Sequence, residues 1–565
     1  MYRVLPARLL LGAFLLSVLW AAAVAAGQAT PPQPAVSSAH PLATRAGMEV
    51  LGAGGNAFDA AVAVSAALAV VEPYSSGLGG GGFWLLHRAD DGFEVVIDGR
   101  ERAPLAAARD MYLDSKADVI PGLSVNGALA AGIPGEPAAL VHIAKHYGRL
   151  PLQRSLLPAV RLARDGFLVD EHYRQMAGLR LVAMQDDQQT AQVFLREDEV
   201  PDAGVRIRQP DLGDTLEVLG RAGHAGFYQG QVATRLVDGV RAAGGIWTLQ
   251  DLEQYRVVER EPLRGEYRGM RIVSVPPPSS GGVVLMSMLN MLSGFPLDEY
   301  DAATRTHLVI ESMRRAYRDR AEYLGDSDFV AVPVARLVSK AHADALRSSI
   351  NPEKATPSAA LGGYASDTGG RDTTHFSILD GAGNRVAATL SINYPFGACV
   401  IPPGTGVLLN NEMDDFSIKP GAPNLYGLVG AEANAIAPGK RPLSSMTPVF
   451  TEDESGVAIL GTPGGSRIIT MLLLGVLDLA AGRRPDSWVA VPRYHHQFLP
   501  DVVQYEPGAL DGGLSEALAA RGHALQPLDA PYGNMQAVYW DRDNQRVYAA
   551  SDPRGSGEAR VGLYE

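Results

Sequence analysis

The stretch Thr-Thr-His-Phe-Ser-Ile-Leu at residues 373–379 is rich in β-branched and apolar side chains, which predicts a β-strand. Asp-Gly-Ala-Gly-Asn at 380–384 follows it and is typical of a turn. The next run, Arg-Val-Ala-Ala-Thr-Leu-Ser at 385–391, again favours a strand. Together the three pieces predict an antiparallel hairpin around which the rest of the chain is organised.

The register of this hairpin follows from a single pairing. If Leu379 faces Arg385, antiparallel pairing keeps the sum of the two residue numbers constant, so that Thr373 faces Ser391. Asn393 lies two residues further along and shares that face if the strand continues. A slip of one residue would move the whole set to the other face, so the register is itself a testable prediction.

Thr373 becomes a good nucleophile only if a base removes its hydroxyl proton, and a threonine at a chain N-terminus uses its own α-amino group as that base. Because Thr373 lies deep inside the chain, this chemistry requires cleavage of the bond between Asp372 and Thr373. The preceding segment, 351–371, is poor in apolar residues, which predicts an exposed, protease-accessible linker. On the hairpin alone, an ordinary surface threonine is the simpler interpretation, since threonine is common in strands.

Composition limits the class of protein. The 565 residues suffice for one large or two ordinary domains, and 46% apolar with 20% charged residues is a globular profile. A net charge of −13 with scattered Lys and Arg argues against nucleic acid or an anionic membrane surface as the main partner. The single cysteine, Cys399, rules out an internal disulfide, and a buried apolar role is favoured over a nucleophilic one.

Residues 1–26 have the features of a cleavable secretory signal. Arg3 and Arg8 precede an apolar run from Leu9 to about Trp20, and an alanine-rich stretch follows. A basic start, an apolar middle and small residues at the end are typical of such a signal. The alternative is an uncleaved membrane anchor, which the small-residue end disfavours. We therefore expect a secreted, periplasmic protein with no membrane contact after signal removal.

Several segments have predictable local structure. Helices are predicted within 43–71, over much of 136–260, and at 283–292 and about 304–323. Strands are predicted at 95–102, 271–275, 407–411 and 457–461. The glycine run at 77–82 has no Lys-Ser/Thr after it, so close backbone packing is favoured over a phosphate loop. Residues 420–440 are rich in Gly, Pro and Asn, which predicts a mobile surface loop.

Isolated polar residues leave alternatives open. Arg100 ends a predicted strand and either faces solvent or binds a carboxylate through two hydrogen bonds. The acidic cluster at 412–415 is either solvated or holds an ammonium group. Gly464 and Gly465 form either a simple turn or an oxyanion hole. No nucleophile-elbow motif and no metal-ligand spacing occurs in the sequence, and the adjacent pair His495 and His496 favours structural hydrogen bonding.

Four motifs in order along the last third of the chain closely resemble the γ-glutamyltransferase (γ-glutamyl transpeptidase) family. They are Thr-Thr-His-Phe-Ser at 373–377, Asn-Asn-Glu-Met-Asp-Asp-Phe at 410–416, Arg-Pro-Leu-Ser-Ser-Met at 441–446 and Gly-Thr-Pro-Gly-Gly-Ser-Arg at 461–467. The segments 54–57, 77–82, 276–282 and 493–497 share the resemblance. It therefore extends over nearly the whole chain after residue 26.

The resemblance implies an α+β fold, namely a four-layer α-β-β-α sandwich of the N-terminal-nucleophile hydrolase type. Such precursors cut themselves into two subunits that stay associated. Here residues 27–372 would form the large subunit and 373–565 the small subunit, together making one catalytic domain. No cofactor and no metal is implied.

The resemblance also assigns roles to single residues. Asp372 and Thr373 would form the cleavage site, with Thr373 as nucleophile and Ser391, a position often occupied by Thr in the family, as its supporting hydroxyl. The remaining positions would hold the α-amino group (Asn393, Glu412, Asp415), the α-carboxylate (Arg100, Ser444, Ser445), the oxyanion (Gly464, Gly465) and a lid over the pocket (Tyr426).

The implied activity is that of a γ-glutamyltransferase with glutathione hydrolase activity. Thr373 would attack the γ-glutamyl amide of glutathione or a related compound, and water, an amino acid or a dipeptide would accept the glutamyl group. A β-lactam side-chain acylase or a poly-γ-glutamate depolymerase would keep the fold and change the substrate. A non-catalytic secreted binding protein is a further alternative, against which the intact motifs argue.

Overall fold

The structure, a computed structural model, describes residues 30–362, 373–419, 421–424, 427–428 and 430–563. The predicted signal, residues 1–26, lies outside the described residues, as do Asp372 and Tyr426. The fold is mixed α+β, as expected. Two large sheets pack face to face, and helices cover their outer faces.

The strands belong to two large and two small sheets. The seven-stranded sheet has the order β18-β1-β9-β10-β2-β3-β6, and the six-stranded sheet has the order β17-β16-β12-β11-β8-β7. Strands β13, β14 and β15 form a third sheet, and β4 pairs with β5. Their bounds are β1 Ala35–Ser38, β2 Gly81–Arg88, β3 Phe93–Gly99, β4 Phe167–Leu168, β5 Arg206–Ile207, β6 Val258–Arg260, β7 Leu263–Tyr267, β8 Met270–Ser274, β9 Thr374–Leu379, β10 Arg385–Ser391, β11 Val449–Glu452, β12 Gly456–Gly461, β13 Tyr494–His495, β14 Val503–Tyr505, β15 Leu525–Pro527, β16 Gln536–Asp541, β17 Arg546–Ser551 and β18 Glu558–Val561.

The helices lie on both sides of the paired sheets. Their bounds are α1 Pro41–Gly52, α2 Ala57–Val71, α3 Glu136–His146, α4 Leu152–Asp165, α5 Glu171–Gln185, α6 Gln188–Phe194, α7 Pro210–Ala222, α8 His224–Tyr228, α9 Gly230–Ala242, α10 Leu249–Glu253, α11 Gly281–Leu292, α12 Ala302–Tyr323, α13 Val334–Leu337, α14 Lys340–Ser348, α15 Ile468–Ala480, α16 Pro485–Ala490 and α17 Gly512–Ala520. Among the described residues, no helix is both long and apolar enough to cross a bilayer.

The predicted hairpin and its register are confirmed. Leu379 pairs with Arg385, and Leu390 pairs with Thr374, so Thr373 and Ser391 are the next positions along the ladder. The alternation of side chains also holds. Phe376 lies in the core beneath the helices, whereas the ring of His375 lies so near Gly461 of the other large sheet that a Cβ there would come within 2.1 Å of it.

Helix α2 supports the hairpin from outside. All fifteen of its residues are buried, consistent with its Ala- and Val-rich sequence. The Asn56 side chain begins the helix by accepting hydrogen bonds from the backbone amides of Phe58 and Asp59, and the Asp59 carboxylate accepts one from the Asn56 backbone amide. The turn residue Asp380 accepts a hydrogen bond from the amide of Ala57 at 3.0 Å, which ties the hairpin to this helix.

The glycine run at 77–82 confirms the prediction of close backbone packing. A Cβ on Gly79 would lie 2.0 Å from the carbonyl oxygen of Leu408, and one on Gly80 would lie 2.1 Å from that of Ser391. Since no side chain fits at such distances, these positions require glycine. The run therefore brings the start of strand β2 against the segment that carries Ser391.

One local prediction was wrong, and a second is confirmed only in part, since most residues of 351–362 are exposed. Residues 407–411 do not form a strand, since the one β-bridge among them is the isolated bridge from Leu409 to Gly79. The segment 351–362 is not simply an exposed linker, since Ser358 is fully buried and Ala355 donates its N–H to the carbonyl of Arg521. Residues 363–371 of that prediction lie outside the described residues.

Candidate active site

Thr373 lies at the entrance to strand β9 and lines a small cavity between the two large sheets. It is 6% exposed. Eight of the other residues that the sequence singled out line the same cavity: Arg100, Ser391, Asn393, Glu412, Asp415, Ser444, Ser445 and Gly465. Tertiary folding thus brings together side chains that are more than 300 positions apart in the sequence.

Ser391 and Asn393 reach the cavity by different routes. Ser391 ends strand β10, and its Oγ accepts a hydrogen bond from the Asn393 amide at 2.7 Å. The strand does not continue as the prediction assumed, because Asn393 has a left-handed φ of 74°. The Asn393 side chain donates to the carbonyl of Asn411 at 3.0 Å, which links the hairpin to the acidic cluster at 412–415.

Arg100 follows strand β3 and is fully buried, so the solvated alternative for this residue was wrong. Its guanidinium donates to Glu412, to Asp415 at 2.5 Å and, more weakly, to Glu101 at 3.5 Å. Burial opposes its charge, but the carboxylates of Glu412, Glu101 and Asp415 outweigh burial and raise the pKa of Arg100 above its ordinary value. One cation thus faces three acidic groups.

The acidic groups around Arg100 are held in an environment that disfavours their charge. Burial raises the pKa of Glu412 and of Asp415, with Arg100 offsetting part of the effect, and raises the pKa of Glu101 to about 7. Oε1 of Glu101 and Oε2 of Glu412 are buried and accept no hydrogen bond from the part of the chain that the structure describes. A second cation is therefore the chemical group that this cluster can still accommodate.

Ser444 and Ser445, here called the serine pair, lie against the proline-rich segment 276–282. The Ser280 amide donates to the Ser444 carbonyl at 2.8 Å, and the Ser444 amide donates to the Pro278 carbonyl at 2.9 Å. The Ser444 Oγ accepts from the Met446 amide at 3.1 Å. These bonds hold the 444–446 turn in a defined conformation beside the cavity.

Gly464 and Gly465 precede helix α15 and have left-handed φ angles of 138° and 56°. Gly465 begins a short 3₁₀ turn, and it is this glycine that lines the cavity with Thr373. The N-terminal end of a helix carries unpaired N–H groups and a partial positive charge, which suits an anion. Of the pair, Gly465 therefore shares the cavity with Thr373, and Gly464 directly precedes Gly465.

Comparison with known proteins now identifies the family. The family model described as gamma-glutamyltranspeptidase matches residues 43–562. The chain belongs to this family. The resemblance expected from the four motifs is thereby confirmed, and the protein is an enzyme of the gamma-glutamyltranspeptidase family.

Individual relatives agree with the family match. The chain is 42% identical over 532 residues to a glutathione hydrolase proenzyme of Pseudomonas sp. strain A14, covering 92% of each chain. It is 40% identical over 533 residues to the glutathione hydrolase proenzyme of Escherichia coli K12, covering 93% of this chain and 91% of the other. The crystal structure of cephalosporin acylase from Bacillus halodurans superposes with a TM-score of 0.83 at 28% identity, covering 95% and 97% of the two chains.

Sequence reasoning missed one buried cation of this gamma-glutamyltranspeptidase site. Arg320, on helix α12, donates to Ser280 at 2.9 Å and to Ser445 at 3.1 Å. Helix α12 has four arginines between positions 314 and 320, and no pattern in the sequence tells which of them contacts Ser445, a residue that lines the cavity. The structural expectations for other residues were met: Cys399 and the rings of His495 and His496 are buried, and both rings are hydrogen-bonded.

Proposed function

We propose that the protein is a periplasmic γ-glutamyltransferase with glutathione hydrolase activity, exported by residues 1–26 and made as a self-cleaving precursor. Cleavage between Asp372 and Thr373 yields a large subunit, 27–372, and a small subunit, 373–565, which together form one catalytic domain. The two face-to-face sheets with helices outside support a four-layer sandwich of the N-terminal-nucleophile hydrolase type. The family match supports the activity.

One observation carries the proposal: Thr373 lies in the same cavity as a buried guanidinium, two acidic residues and a serine pair. A γ-glutamyl group has an α-ammonium, an α-carboxylate and, three bonds from the α-carbon, the reacting γ-carbonyl. Asn393, Glu412 and Asp415 would bind the ammonium, and Arg100, Ser444 and Ser445 would bind the carboxylate. Binding both charged groups holds the γ-carbonyl in place for attack by Thr373.

After cleavage, the α-amino group of Thr373 accepts the proton of its own hydroxyl, supported by the Ser391 hydroxyl. Since a free α-amino group has a pKa of about 7.7–8.0, a modest shift makes it a base at neutral pH. The Thr373 oxygen then bonds to the γ-carbonyl carbon, and the Gly464 and Gly465 amides stabilise the oxyanion. The C–N bond breaks, the amine leaves with the proton, and a γ-glutamyl ester remains.

Water or an acceptor amine resolves the ester. Attack by water releases glutamate, and attack by the amino group of an amino acid or dipeptide forms a new γ-glutamyl amide. Either route returns the proton to Thr373 and regenerates the free enzyme. Tyr426 would cover the pocket as a lid during these steps.

Substitution of Thr373 tests the proposal. Thr373→Ala should remain one uncut precursor and lose γ-glutamyl 4-nitroanilide turnover by about 10⁴-fold or more, because the nucleophile is removed. Thr373→Ser keeps the hydroxyl and should still be cut and active. The measurements are a denaturing gel, N-terminal sequencing of the smaller band, and anilide release. A processed or active Thr373→Ala, or a small subunit that begins elsewhere, contradicts the assignment.

The structural similarity to a cephalosporin acylase favours one alternative substrate class. A glutaryl-cephalosporin has a carboxylate but no α-ammonium, so the acids around Arg100 would have no partner in that substrate. We expect turnover of glutathione to exceed that of glutaryl-cephalosporin. The reverse preference would assign the chain to acylase chemistry on the same fold.

A further inference from the structure

Arg320 lies in the last turn of helix α12, beside Ser445 of the serine pair, which lines the cavity. Its side chain is buried, with 4% of the residue exposed. Its Nε donates to the Ser280 Oγ at 2.9 Å and its Nη2 donates to the Ser445 Oγ at 3.1 Å. It is thus the only residue on helix α12 that contacts the serine pair through a hydrogen bond among those described in the structure.

The hydrogen bonds around Arg320 determine what the serine hydroxyls can do. A serine hydroxyl has one hydrogen to donate and two lone pairs that accept. Ser280 accepts from Arg320 and spends its own hydrogen on the Ser444 carbonyl at 2.7 Å. Ser445 accepts from Arg320, and Ser444 accepts from the Met446 amide at 3.1 Å. Within the described chain, neither hydroxyl of the pair donates to a protein acceptor, so both hydrogens are available to an anion.

Charge complements this arrangement. Arg100 is already surrounded by Glu412, Asp415 and Glu101, so its positive charge is largely offset. Burial lowers the pKa of Arg320, and Asp415 partly offsets that effect, but an arginine stays protonated at neutral pH. Arg320 therefore supplies positive potential on the serine side of the cavity, where the proposed function places the substrate carboxylate.

We propose that Arg320 is a positioning residue for the α-carboxylate of the substrate: through Ser445 and Ser280 it orients the serine pair so that both hydroxyls donate to that carboxylate. The inference rests on the proposed function, since it assumes an α-amino acid head group in this cavity. Among the described residues, the side-chain hydrogen bonds of Arg320 go to Ser280 and Ser445 on the carboxylate side and not to Glu412 or Asp415, which would hold the ammonium.

Competitive inhibitors that lack one charged group separate this role from a structural one. L-Glutamate has both groups, glutarate lacks the α-ammonium, and 4-aminobutyrate lacks the α-carboxylate. In Arg320→Gln, the inhibition constants of glutamate and glutarate against γ-glutamyl 4-nitroanilide turnover should rise about tenfold to a hundredfold, the usual scale for a lost charged hydrogen bond. That of 4-aminobutyrate should change less than threefold. An equal rise for all three compounds overturns the proposal.

The same assay distinguishes failure of the proposed function. If the wild-type protein binds glutamate no better than both analogues, the cavity is not an α-amino acid site, and the proposed function fails before Arg320 is considered. If the wild type discriminates and Arg320→Gln does so equally well, only the role of Arg320 fails.

Two further variants keep the proposal falsifiable, and a third serves as control. Ser445→Ala should reproduce the inhibitor pattern, and combining it with Arg320→Gln should add little, because Arg320 acts through Ser445. If Arg320→Gln does not fold, Ser280→Ala should show the same pattern at smaller size, and its absence overturns the proposal. Arg318→Gln is the matched control, since Arg318 lies on the same helix and pairs with Asp319 and Glu322 near solvent.

Discussion

Two polar clusters lie against helix α12, and the net pKa shifts of their acidic groups have opposite signs. The active-site cluster comprises Arg100, Glu101, Glu412 and Asp415, with Arg320 of the helix beside it. The anchor cluster comprises Glu311, Arg314 and Arg315 on the same helix, with His496, Asp501 and His523 from the last part of the chain. In the first cluster the pKa of every carboxyl group is raised, and in the second the pKa of both is lowered.

The balance of charges and donors explains the difference. In the anchor cluster, burial works against the charge of Glu311, but the Thr356 amide, Arg315 and Arg314 outweigh burial and lower its pKa. Burial likewise opposes Asp501, but bonds from His496, the Ser358 amide and Arg314 prevail. In the active-site cluster, three acids share Arg100, so burial prevails instead. The acids of the anchor cluster pair with Arg314 and Arg315, whereas those of the active-site cluster share Arg100, and a substrate ammonium would supply a second cation.

The anchor cluster also has a structural task. It holds residues 351–358, which lie 15 to 22 positions before Thr373. Arg315 donates to Thr356 at 3.0 Å, and Arg314 donates to Ser358 at 2.7 Å. His307, on the same helix, adds a hydrogen bond to the Asn351 carbonyl at 2.8 Å. The end of the proposed large subunit is thereby bound to the proposed small subunit through Asp501. A stable junction and a reactive site share one helix.

The largest expected effect is the loss of activity on removing the cation of the active-site cluster. Arg100→Gln should lower kcat/KM for γ-glutamyl 4-nitroanilide by about a hundredfold to a thousandfold, because the substrate α-carboxylate loses its buried cationic partner. Its free energy of unfolding should also fall, because removal of Arg100 leaves three buried acids without their shared cation. The measurements are steady-state kinetics and urea unfolding of the same preparation. Strong destabilisation with retained activity would erase the distinction between the clusters.

The next effect is on stability. Arg314→Gln leaves Glu311 and Asp501 without a shared cation and should lower the free energy of unfolding by about 2–4 kcal/mol, with Asp501 discounted for its partial exposure. The kcat of the processed enzyme should stay within about threefold of wild type, because Arg314 does not line the cavity. Arg161→Gln provides a matched control at an exposed pair with Glu49, for which we expect at most about 1 kcal/mol.

The smallest expected effect, when taken per pH unit, is a dependence of the free energy of unfolding on pH. Burial, together with nearby positive groups, lowers the pKa of His523 to about 3, and burial lowers that of His496 to about 4 in spite of Asp501. Below the ordinary histidine value of about 6.5, the unfolded chain binds protons that the folded chain refuses. Stability should therefore fall from about pH 6.5 to about pH 4, by up to about 2 kcal/mol per pH unit.

Urea unfolding at pH 7, 5.5 and 4.5 measures this dependence. His523→Asn should make the pH profile less steep than that of the wild type, because one of the buried histidines with a lowered pKa is gone. A stability that stays constant or increases on acidification would show that the histidines of the anchor cluster do not remain neutral in the folded protein.

Much of the site was predictable because its information is local. The pairing of Leu379 with Arg385 sets the hairpin register, and this pairing depends only on the length and residues of one turn. The glycine run at 77–82 announced close backbone contact, since only glycine tolerates it. The four motifs named the family because the chemistry needs those residue types at those places.

Other features followed from contacts between distant segments. The sequence does not show that Arg100 lies between Glu412 and Asp415, because the three residues meet only when the strand before Arg100 packs beside the 412–415 turn. Nor does it show that residues 351–358 are anchored, since their partners lie on helix α12 and beyond position 495. The polar composition of 351–371 therefore did not reveal that part of the predicted linker is anchored.

By itself, then, the sequence determined the hairpin with its register, the glycine-mediated contact and the family. Only the tertiary structure decided which arginine of helix α12 contacts the serine pair. Arg314, Arg315, Arg318 and Arg320 differ little in local sequence, but the packing of the helix directs two into the anchor cluster, one toward solvent and one to the serine pair. The physical reason is that side-chain burial depends on what packs against each face of a helix, and that is set by segments far away in the chain.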